Sequence, residues 1–103
     1  MITWIRTALI NPGKRTEAIA WALNLSRYVN DKFNTNITVH GNVIGPINQI
    51  YWVASYESMD AFEKAAGKIV QDKGYNELLE ASSEAQLYNA QSFKDTFYQP
   101  LGE

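Results

Sequence analysis

The chain has 103 residues, of which 46% are hydrophobic and 19% charged, and its net charge at pH 7 is −2. The length predicts one domain over residues 1–103. The absence of a basic run argues against a nucleic-acid partner, and no stretch approaches the ~20 apolar residues of a membrane span. The chain contains no cysteine, which excludes disulfides, thiol catalysis and thiolate metal sites and fits a cytoplasmic protein. The apolar start lacks a charged leader, so we expect no signal peptide.

The first two elements are predicted as a strand and a helix. Residues 2–10 are rich in β-branched and aromatic side chains. Their apolar groups alternate onto both faces, which is typical of a strand covered on both sides. Residues 16–33 carry apolar side chains at helical spacing, and Thr16 is the expected N-cap.

The middle of the chain predicts a pair of neighbouring strands. Residues 37–44 alternate in polarity, and residues 49–56 form the most apolar segment of the chain. The sequence Gly45-Pro46 between them favours a tight turn. Strands joined so closely must be antiparallel neighbours.

The second half repeats the alternation of helix and strand. Ser58 is the expected N-cap of a second helix, in which Gly67 either weakens the helix or allows a strand to approach closely. Gly74 is expected to break this helix, and a shorter helix then continues to Ala85. Residues 91–98 predict the last strand.

The order strand, helix, strand, strand, helix, strand predicts an α+β fold, a ferredoxin-like βαββαβ sandwich with a four-stranded antiparallel sheet. In this fold the helices cover one face of the sheet only. The chain has 13 aromatic residues and apolar side chains on both strand faces. An exposed apolar face of that size is unfavourable for a monomer. We therefore predict a homodimer in which a second copy covers the bare face.

Two local patterns resemble a known family. Arg6-Thr7, followed after four residues by Pro12-Gly13-Lys14, is similar to the first strand and turn of NIPSNAP-like proteins. The stretch Trp52–Phe62 is similar to their third strand and second helix. Both patterns resemble the wider dimeric α/β-barrel superfamily, which also holds antibiotic-biosynthesis monooxygenases and haem-degrading enzymes. The resemblance implies a homodimer with a barrel cavity between two sheets, and it transfers no activity by itself.

Two polar residues are candidates for catalysis. His40 is the only histidine, and imidazole exchanges protons near neutral pH, so it is a candidate general base or acid. The alternative is a hydrogen-bonded strand histidine without chemistry. Arg6 is a charge in an apolar strand, where it either clamps an anionic ligand or forms a structural pair with Asp or Glu. Strand parity suggests that Arg6 and His40 share the face without helices.

Four aromatic residues are candidates for ligand binding, and the alternative is that they pack in the core and the dimer interface. They are Trp4, Tyr51, Trp52 and Tyr98.

Three functions remain open from the sequence. The first is a homodimer that binds an apolar or aromatic small molecule in the barrel cavity. The second is a cofactor-free monooxygenase acting on an aromatic or polyketide-like substrate, with His40 as the base and Arg6 as the stabiliser of the anion. The third is a dimerisation module without catalysis. No metal site and no cofactor are predicted.

Overall fold

The computed structural model describes residues 1–102 and confirms the α+β, ferredoxin-like arrangement. Four antiparallel strands form one sheet in the order β2-β3-β1-β4. No helix within residues 1–102 combines the length and apolar character that a membrane crossing requires. The elements in chain order are β1 (Ile2–Leu9), α1 (Arg15–Phe33), β2 (Thr38–Gly41), β3 (Gln49–Tyr56), α2 (Met59–Ile69), α3 (Lys73–Ala85), a 3-10 turn (Ala90–Ser92) and β4 (Lys94–Tyr98).

The even-numbered residues of β1 and β3 form what we name the helix-covered face. Successive side chains of a strand point to opposite sides of the sheet. Because even-numbered residues of β1 pair with even-numbered residues of β3, they share one face, and the odd-numbered residues share the other. On this face Ala8 and Trp52 are buried, and they share a core cluster with Ala18 and Ala22 of α1. The two alanines let α1 approach the sheet closely, because they have no bulky side chain between helix and strand.

The uncovered face consists of the odd-numbered residues of β1 and β3 and the residues of β2 and β4 that pair with them. None of them is fully buried. Apolar residues on this face alternate with threonines, so it is less apolar than the sequence suggested. Its apolar members are Ile5, Leu9, Tyr51, Val53 and Tyr98.

Several predicted boundaries differ from the structure. Helix α1 begins at Arg15 rather than Thr16, and Lys14 holds the N-cap position without a side-chain hydrogen bond. The Ala18 amide donates a hydrogen bond to the Lys14 carbonyl at 2.8 Å, so the helix begins one residue earlier than predicted. Strand β2 ends at Gly41 because residues 42–48 form a loop. Strand β4 starts three residues later than predicted, after the 3-10 turn.

The break between the second and third helices lies before Gly74. Helix α2 ends at Ile69, and Asp72 caps α3 by accepting a hydrogen bond from the Tyr75 amide at 2.9 Å. Gly74 therefore sits in the first turn of α3. Its lack of a side chain makes room for the ring of Tyr28 on α1, since a Cβ there would lie 2.7 Å from Tyr28 Cζ. At Gly67 no strand approaches closely, since no atom lies within 4 Å of a Cβ built there.

The two helical glycines give a matched pair of stability predictions. Gly67→Ala should raise the free energy of unfolding by about 0.5–1 kcal/mol, because alanine favours a helix and no atom lies within 4 Å of the new Cβ. Gly74→Ala should lower it, because Tyr28 must move and lose its hydrogen bond to Asp72. Urea unfolding of both variants measures the two signs. Equal stabilisation by both would contradict the packing of Tyr28 against α3.

Asp72 joins α1 to α3. Its carboxylate lies 2.5 Å from Lys32 Nζ and accepts a hydrogen bond from Tyr28 Oη at 2.5 Å. The hydrogen bond from Lys32, followed by those from Tyr28 and the Tyr75 amide, lowers the pKa of Asp72 from 3.8 to about 2. A carboxyl whose pKa is lower in the folded state stabilises the fold above its unfolded value, and this stabilisation is lost as the pH falls.

We expect Asp72→Asn to lower stability at pH 5, where Asp72 is ionised in both states. Between about pH 4 and pH 2 the carboxylate of the wild type becomes protonated, so the difference from Asp72→Asn should shrink. Lys32→Met removes the largest cause of the lowered pKa of Asp72, so this variant should lose less stability between pH 5 and pH 2.5 than the wild type does. Thermal unfolding at pH 5 and pH 2.5 measures these differences. A constant gap between wild type and Asp72→Asn across this range would refute the assignment.

Candidate ligand-binding cavity

A cavity of about 630 Å³ lies between the helix-covered face and the three helices. This volume falls in the range of small-molecule sites, which are mostly apolar with few polar groups. Its wall runs from buried Trp52 and Tyr88 to exposed Val70 and Phe93, so the cavity opens to solvent on one side. Eight of the 13 aromatic residues line it, namely Trp4, Trp21, Trp52, Tyr56, Phe62, Tyr75, Tyr88 and Phe93.

The aromatic side chains of the wall support one another. Trp52 stacks on Phe93 with ring centroids 6.2 Å apart, and meets Tyr88 edge-on at 5.7 Å. Farther along the sheet, Phe62 of α2 packs against Tyr56 at 5.3 Å and against Trp4 at 6.1 Å. These contacts fix flat surfaces around the cavity, and flat aromatic walls favour a flat ligand.

Two of the polar groups in the wall are paired. Trp21 donates its indole N–H to the Leu78 carbonyl at 2.9 Å, which ties α1 to α3. Tyr88 donates its hydroxyl to the Ala18 carbonyl at 2.5 Å. Burial raises the pKa of Tyr88 well above its ordinary value, so this phenol stays neutral.

Three other polar atoms in the wall have no partner. They are the indole nitrogens of Trp4 and Trp52 and the hydroxyl of Ser26, and all three are buried. Buried polar groups in folded proteins are nearly always hydrogen-bonded. Each of these three atoms is inaccessible to water, so none of them offers a donor or acceptor to a ligand in the cavity.

Arg6 and Asp95 form an ion pair at the edge of the cavity. Arg6 donates from Nε and Nη2 to the two carboxylate oxygens at 2.7 and 2.9 Å. This pairing raises the pKa of Arg6 and lowers the pKa of Asp95. The guanidinium also lies 5.4 Å from the ring centroid of Trp4. Asp95 therefore neutralises the charge of Arg6, and the ion pair lies within one chain.

A family model described as NIPSNAP matches residues 4–100, which include every aromatic residue of the cavity wall. The chain belongs to the NIPSNAP family. No curated protein matches the chain. The resemblance to NIPSNAP-like proteins inferred from Arg6–Lys14 and Trp52–Phe62 is therefore confirmed.

Solved structures share the fold of this NIPSNAP chain. A NIPSNAP family protein from Agrobacterium tumefaciens matches with a TM-score of 0.80 at 21% identity, covering 96% of this chain and 84% of that one. A NIPSNAP domain protein from Burkholderia xenovorans gives 0.80 at 14%, covering 97% and 94%. A Deinococcus radiodurans protein provisionally assigned as an antibiotic biosynthesis monooxygenase gives 0.69 at 12%, covering 100% and 94%. Identities this low establish the shared fold alone.

The prediction that Arg6 and His40 share the face without helices is wrong. Arg6 lies opposite Trp52 on β3, whereas His40 lies opposite Tyr51, the preceding residue. Neighbouring residues of a strand point to opposite faces, so Arg6 lies on the helix-covered face and His40 on the uncovered face. His40 is exposed, and its Nε2 lies 2.7 Å from the Thr38 hydroxyl. The geometry therefore gives no support to His40 as a base in the cavity of this NIPSNAP protein.

The four aromatic residues predicted to bind a ligand do not form one site. Trp4 and Trp52 line the cavity. Tyr51 and Tyr98 lie on the uncovered face, where Tyr51 donates to the Asn42 side chain at 2.9 Å. The cavity of about 630 Å³ thus lies on the opposite side of the sheet from the predicted barrel interior.

Sequence reasoning missed several residues of the cavity wall. Ser26 follows Ala22 by four residues and precedes Val29 by three, so it lies on the apolar stripe of α1. A serine on an apolar stripe was the available signal. Tyr88 and Phe93 flank the 3-10 turn, and no period marked them as members of a wall.

Proposed function

We propose that this NIPSNAP-family protein binds a flat, largely apolar small molecule in the cavity between its sheet and its helices. The observation that carries the proposal is the cavity of about 630 Å³ lined by eight aromatic side chains. The charge of Arg6 is neutralised by Asp95, and the neutral phenol of Tyr88 donates to a backbone carbonyl. Neither group therefore presents a free charge to a ligand.

A cavity of this size that opens to solvent leaves aromatic side chains in contact with water, which is unfavourable for a protein whose only task is to fold or to dimerise. Contiguous exposed apolar surface of this kind is typical of a ligand-binding groove. A dimerisation module would gain stability by closing the cavity, so the cavity favours a binding protein over such a module.

Equilibrium dialysis against fluorene, a flat neutral hydrocarbon, tests the proposal. We expect saturable binding of one fluorene per chain at micromolar concentration. The fluorene retained by the protein is extracted and quantified by its own fluorescence. Absence of saturable binding, for fluorene and for flat hydrocarbons of similar size, would contradict the proposal.

We also propose that the uncovered face pairs with a second copy of the chain. Five apolar side chains lie on this face, and no odd-numbered residue of β1 or β3 is fully buried in the single chain. The neighbouring loop, tied to the face by the Tyr51–Asn42 hydrogen bond, exposes Val43, Ile44 and Ile47. Apolar surface of this extent is typical of an interface.

Light scattering at micromolar concentration should give about twice the chain mass of 11.7 kDa. Val53→Lys places a charge at the centre of the uncovered face and should yield a monomer, because a buried unpaired charge is strongly unfavourable. Leu23→Lys, at an exposed apolar residue of α1, is the matched control and should leave the dimer intact. A monomeric wild type, or a Val53→Lys dimer with native circular dichroism, would exclude this interface.

A further inference from the structure

The guanidinium of Arg6 is a polar group of the cavity wall that a ligand can reach. Arg6 lies on the helix-covered face, lines the cavity and has a side chain that is 37% exposed. Its hydrogen bonds to Asp95 use Nε and Nη2, and Nη1 makes no hydrogen bond within residues 1–102. Because a guanidinium donates through every one of its nitrogens, Nη1 can donate to a ligand.

The position of this guanidinium is fixed by its neighbours in the wall. Asp95 holds two of its nitrogens at 2.7 and 2.9 Å, and its central carbon lies 5.4 Å from the ring centroid of Trp4. A group that is already held in place loses little conformational freedom when a ligand binds. Nη1 is therefore a preorganised donor at the edge of the cavity.

Tyr75 of α3 faces Arg6 from the helical side of the same cavity. Tyr75 is half-buried and lines the cavity. The hydrogen bonds to Asp95 are the main cause that raises the pKa of Arg6, and the hydroxyl of Tyr75 adds to this rise, so Oη lies close to the guanidinium. Among residues 1–102 the side-chain hydroxyl of Tyr75 has no hydrogen-bond partner, and only its amide bonds to Asp72. Its oxygen is therefore able to accept a hydrogen bond.

These two groups together match a hydroxyl group on a ligand. A guanidinium nitrogen can only donate, whereas a phenol oxygen can also accept. A ligand hydroxyl can accept from Arg6 Nη1 and donate to Tyr75 Oη at once. An ether or carbonyl oxygen could use the donor only, because it has no proton to give.

Asp95 makes a charged ligand group unfavourable at this place. A carboxylate would be attracted by Arg6 but repelled by Asp95, and it would lose its hydration against aromatic side chains. An ammonium group would be repelled by Arg6 in the same way. A neutral hydroxyl meets neither penalty, since the ion pair carries no net charge.

We propose that the ligand is a neutral, flat aromatic compound that carries a hydroxyl group, and that this hydroxyl lies between Arg6 Nη1 and Tyr75 Oη. This inference rests on the proposed function and names the class of ligand that the same cavity selects. Arg6 and Tyr75 determine specificity, whereas the aromatic rings of the wall supply the flat surfaces.

Fluorene and 2-hydroxyfluorene form a matched pair for the test, since they share one ring system and differ by a single hydroxyl group. Equilibrium dialysis of the wild type should show 2-hydroxyfluorene binding about tenfold more tightly than fluorene, the ratio expected for hydrogen bonding that includes a charged donor. We expect 2-methoxyfluorene, which accepts but cannot donate, to bind more weakly than 2-hydroxyfluorene. The anion fluorene-2-carboxylate should also bind more weakly than 2-hydroxyfluorene.

Tyr75→Phe removes the hydroxyl and keeps the ring. This variant should reduce the preference for 2-hydroxyfluorene to less than about threefold, while its affinity for fluorene stays within about threefold of the wild type. Tyr56→Phe is the matched control, because Tyr56 is another phenol of the wall but lies opposite Ile2 at the end of β3, whereas Arg6 lies opposite Trp52. It should keep the tenfold preference.

Arg6→Lys gives a second, independent test of the donor. Lysine retains the positive charge beside Asp95 and removes Nη1, so this variant should also lose most of the preference for 2-hydroxyfluorene. Native circular dichroism of each variant establishes that the fold is kept before its binding is compared.

The outcomes separate this inference from the proposed function. Equal affinity of the wild type for fluorene and 2-hydroxyfluorene would overturn the hydroxyl assignment and leave the apolar binding function intact. Failure of all four compounds to bind would overturn both. Binding of 2-methoxyfluorene or of the carboxylate as tightly as 2-hydroxyfluorene would also overturn the inference. The same holds for a tenfold preference that survives in Tyr75→Phe or is lost in Tyr56→Phe.

Discussion

Trp52→Ala should lower the free energy of unfolding by about 3 kcal/mol, the largest loss of stability that we expect from a single substitution in the sheet. The side chain is 4% exposed and contacts both Tyr88 and Phe93. Its indole N–H has no partner, so the loss comes from packing rather than from a broken hydrogen bond. In a domain of this size, the melting temperature should fall by on the order of 15 °C.

Tyr98→Ala is the control for this substitution. Tyr98 is also an aromatic residue of the sheet, but it is 53% exposed and lies on the uncovered face. Its loss should reduce the stability of the isolated chain by less than about 1 kcal/mol. Urea unfolding of both variants gives the comparison. The protein concentration should lie below the dissociation constant of the dimer, so that the isolated chain is measured. Similar losses for the two variants would show that the helix-covered face is not the core side of the sheet.

Ala66→Phe should weaken fluorene binding by at least about tenfold, because the new ring would occupy the cavity. Ala66 lies on α2 and lines the cavity. Filling an apolar void adds packing contacts, so the melting temperature should stay unchanged or rise. This combination of lost binding and kept stability distinguishes a filled site from an unfolded one.

Ala81→Phe provides the matched control for the filled cavity. Ala81 is exposed on α3 and lies outside the wall. This variant should bind fluorene as the wild type does. Wild-type affinity in Ala66→Phe would place the ligand somewhere other than this cavity, even if the protein binds fluorene well.

Local signals in the sequence were enough to predict much of the fold. Strand β3 occupies residues 49–56 as predicted, because its apolar run is bounded by polar residues on both sides. Ser58 caps α2 by accepting a hydrogen bond from the Ala61 amide, as predicted, since capping depends on a few neighbouring residues. The order of the elements then fixed the ferredoxin-like topology.

The orientation of the strand faces could not be predicted from the same signals. Alternation shows which residues share a face within a strand, but the pairing register decides how faces align between strands. β1 carries apolar groups on both sides, so nothing local distinguished the side of Arg6 from the side of Ile5. The offset between His40 and Arg6 emerges only from their separate pairing with β3.

The cavity could not be predicted from the sequence either. It exists because the helices stand away from part of the sheet, and that distance depends on side chains far apart in the chain. The approach of α1 to α3 needs Gly74 to accept the ring of Tyr28, 46 positions away in sequence (74 − 28). The segment 88–93 completes the wall through an isolated bridge between Tyr88 and Ile10. Neither contact leaves a periodic pattern.

The most direct test of the binding cavity uses the indole N–H signals of Trp4, Trp21 and Trp52 in a proton–nitrogen correlation spectrum. All three tryptophans of the chain line the cavity, so titration with fluorene should shift all three signals together, with one saturation curve. Ala66→Phe should show no such shifts. Binding of fluorene that leaves all three indole signals in place would contradict a ligand site between the sheet and the helices.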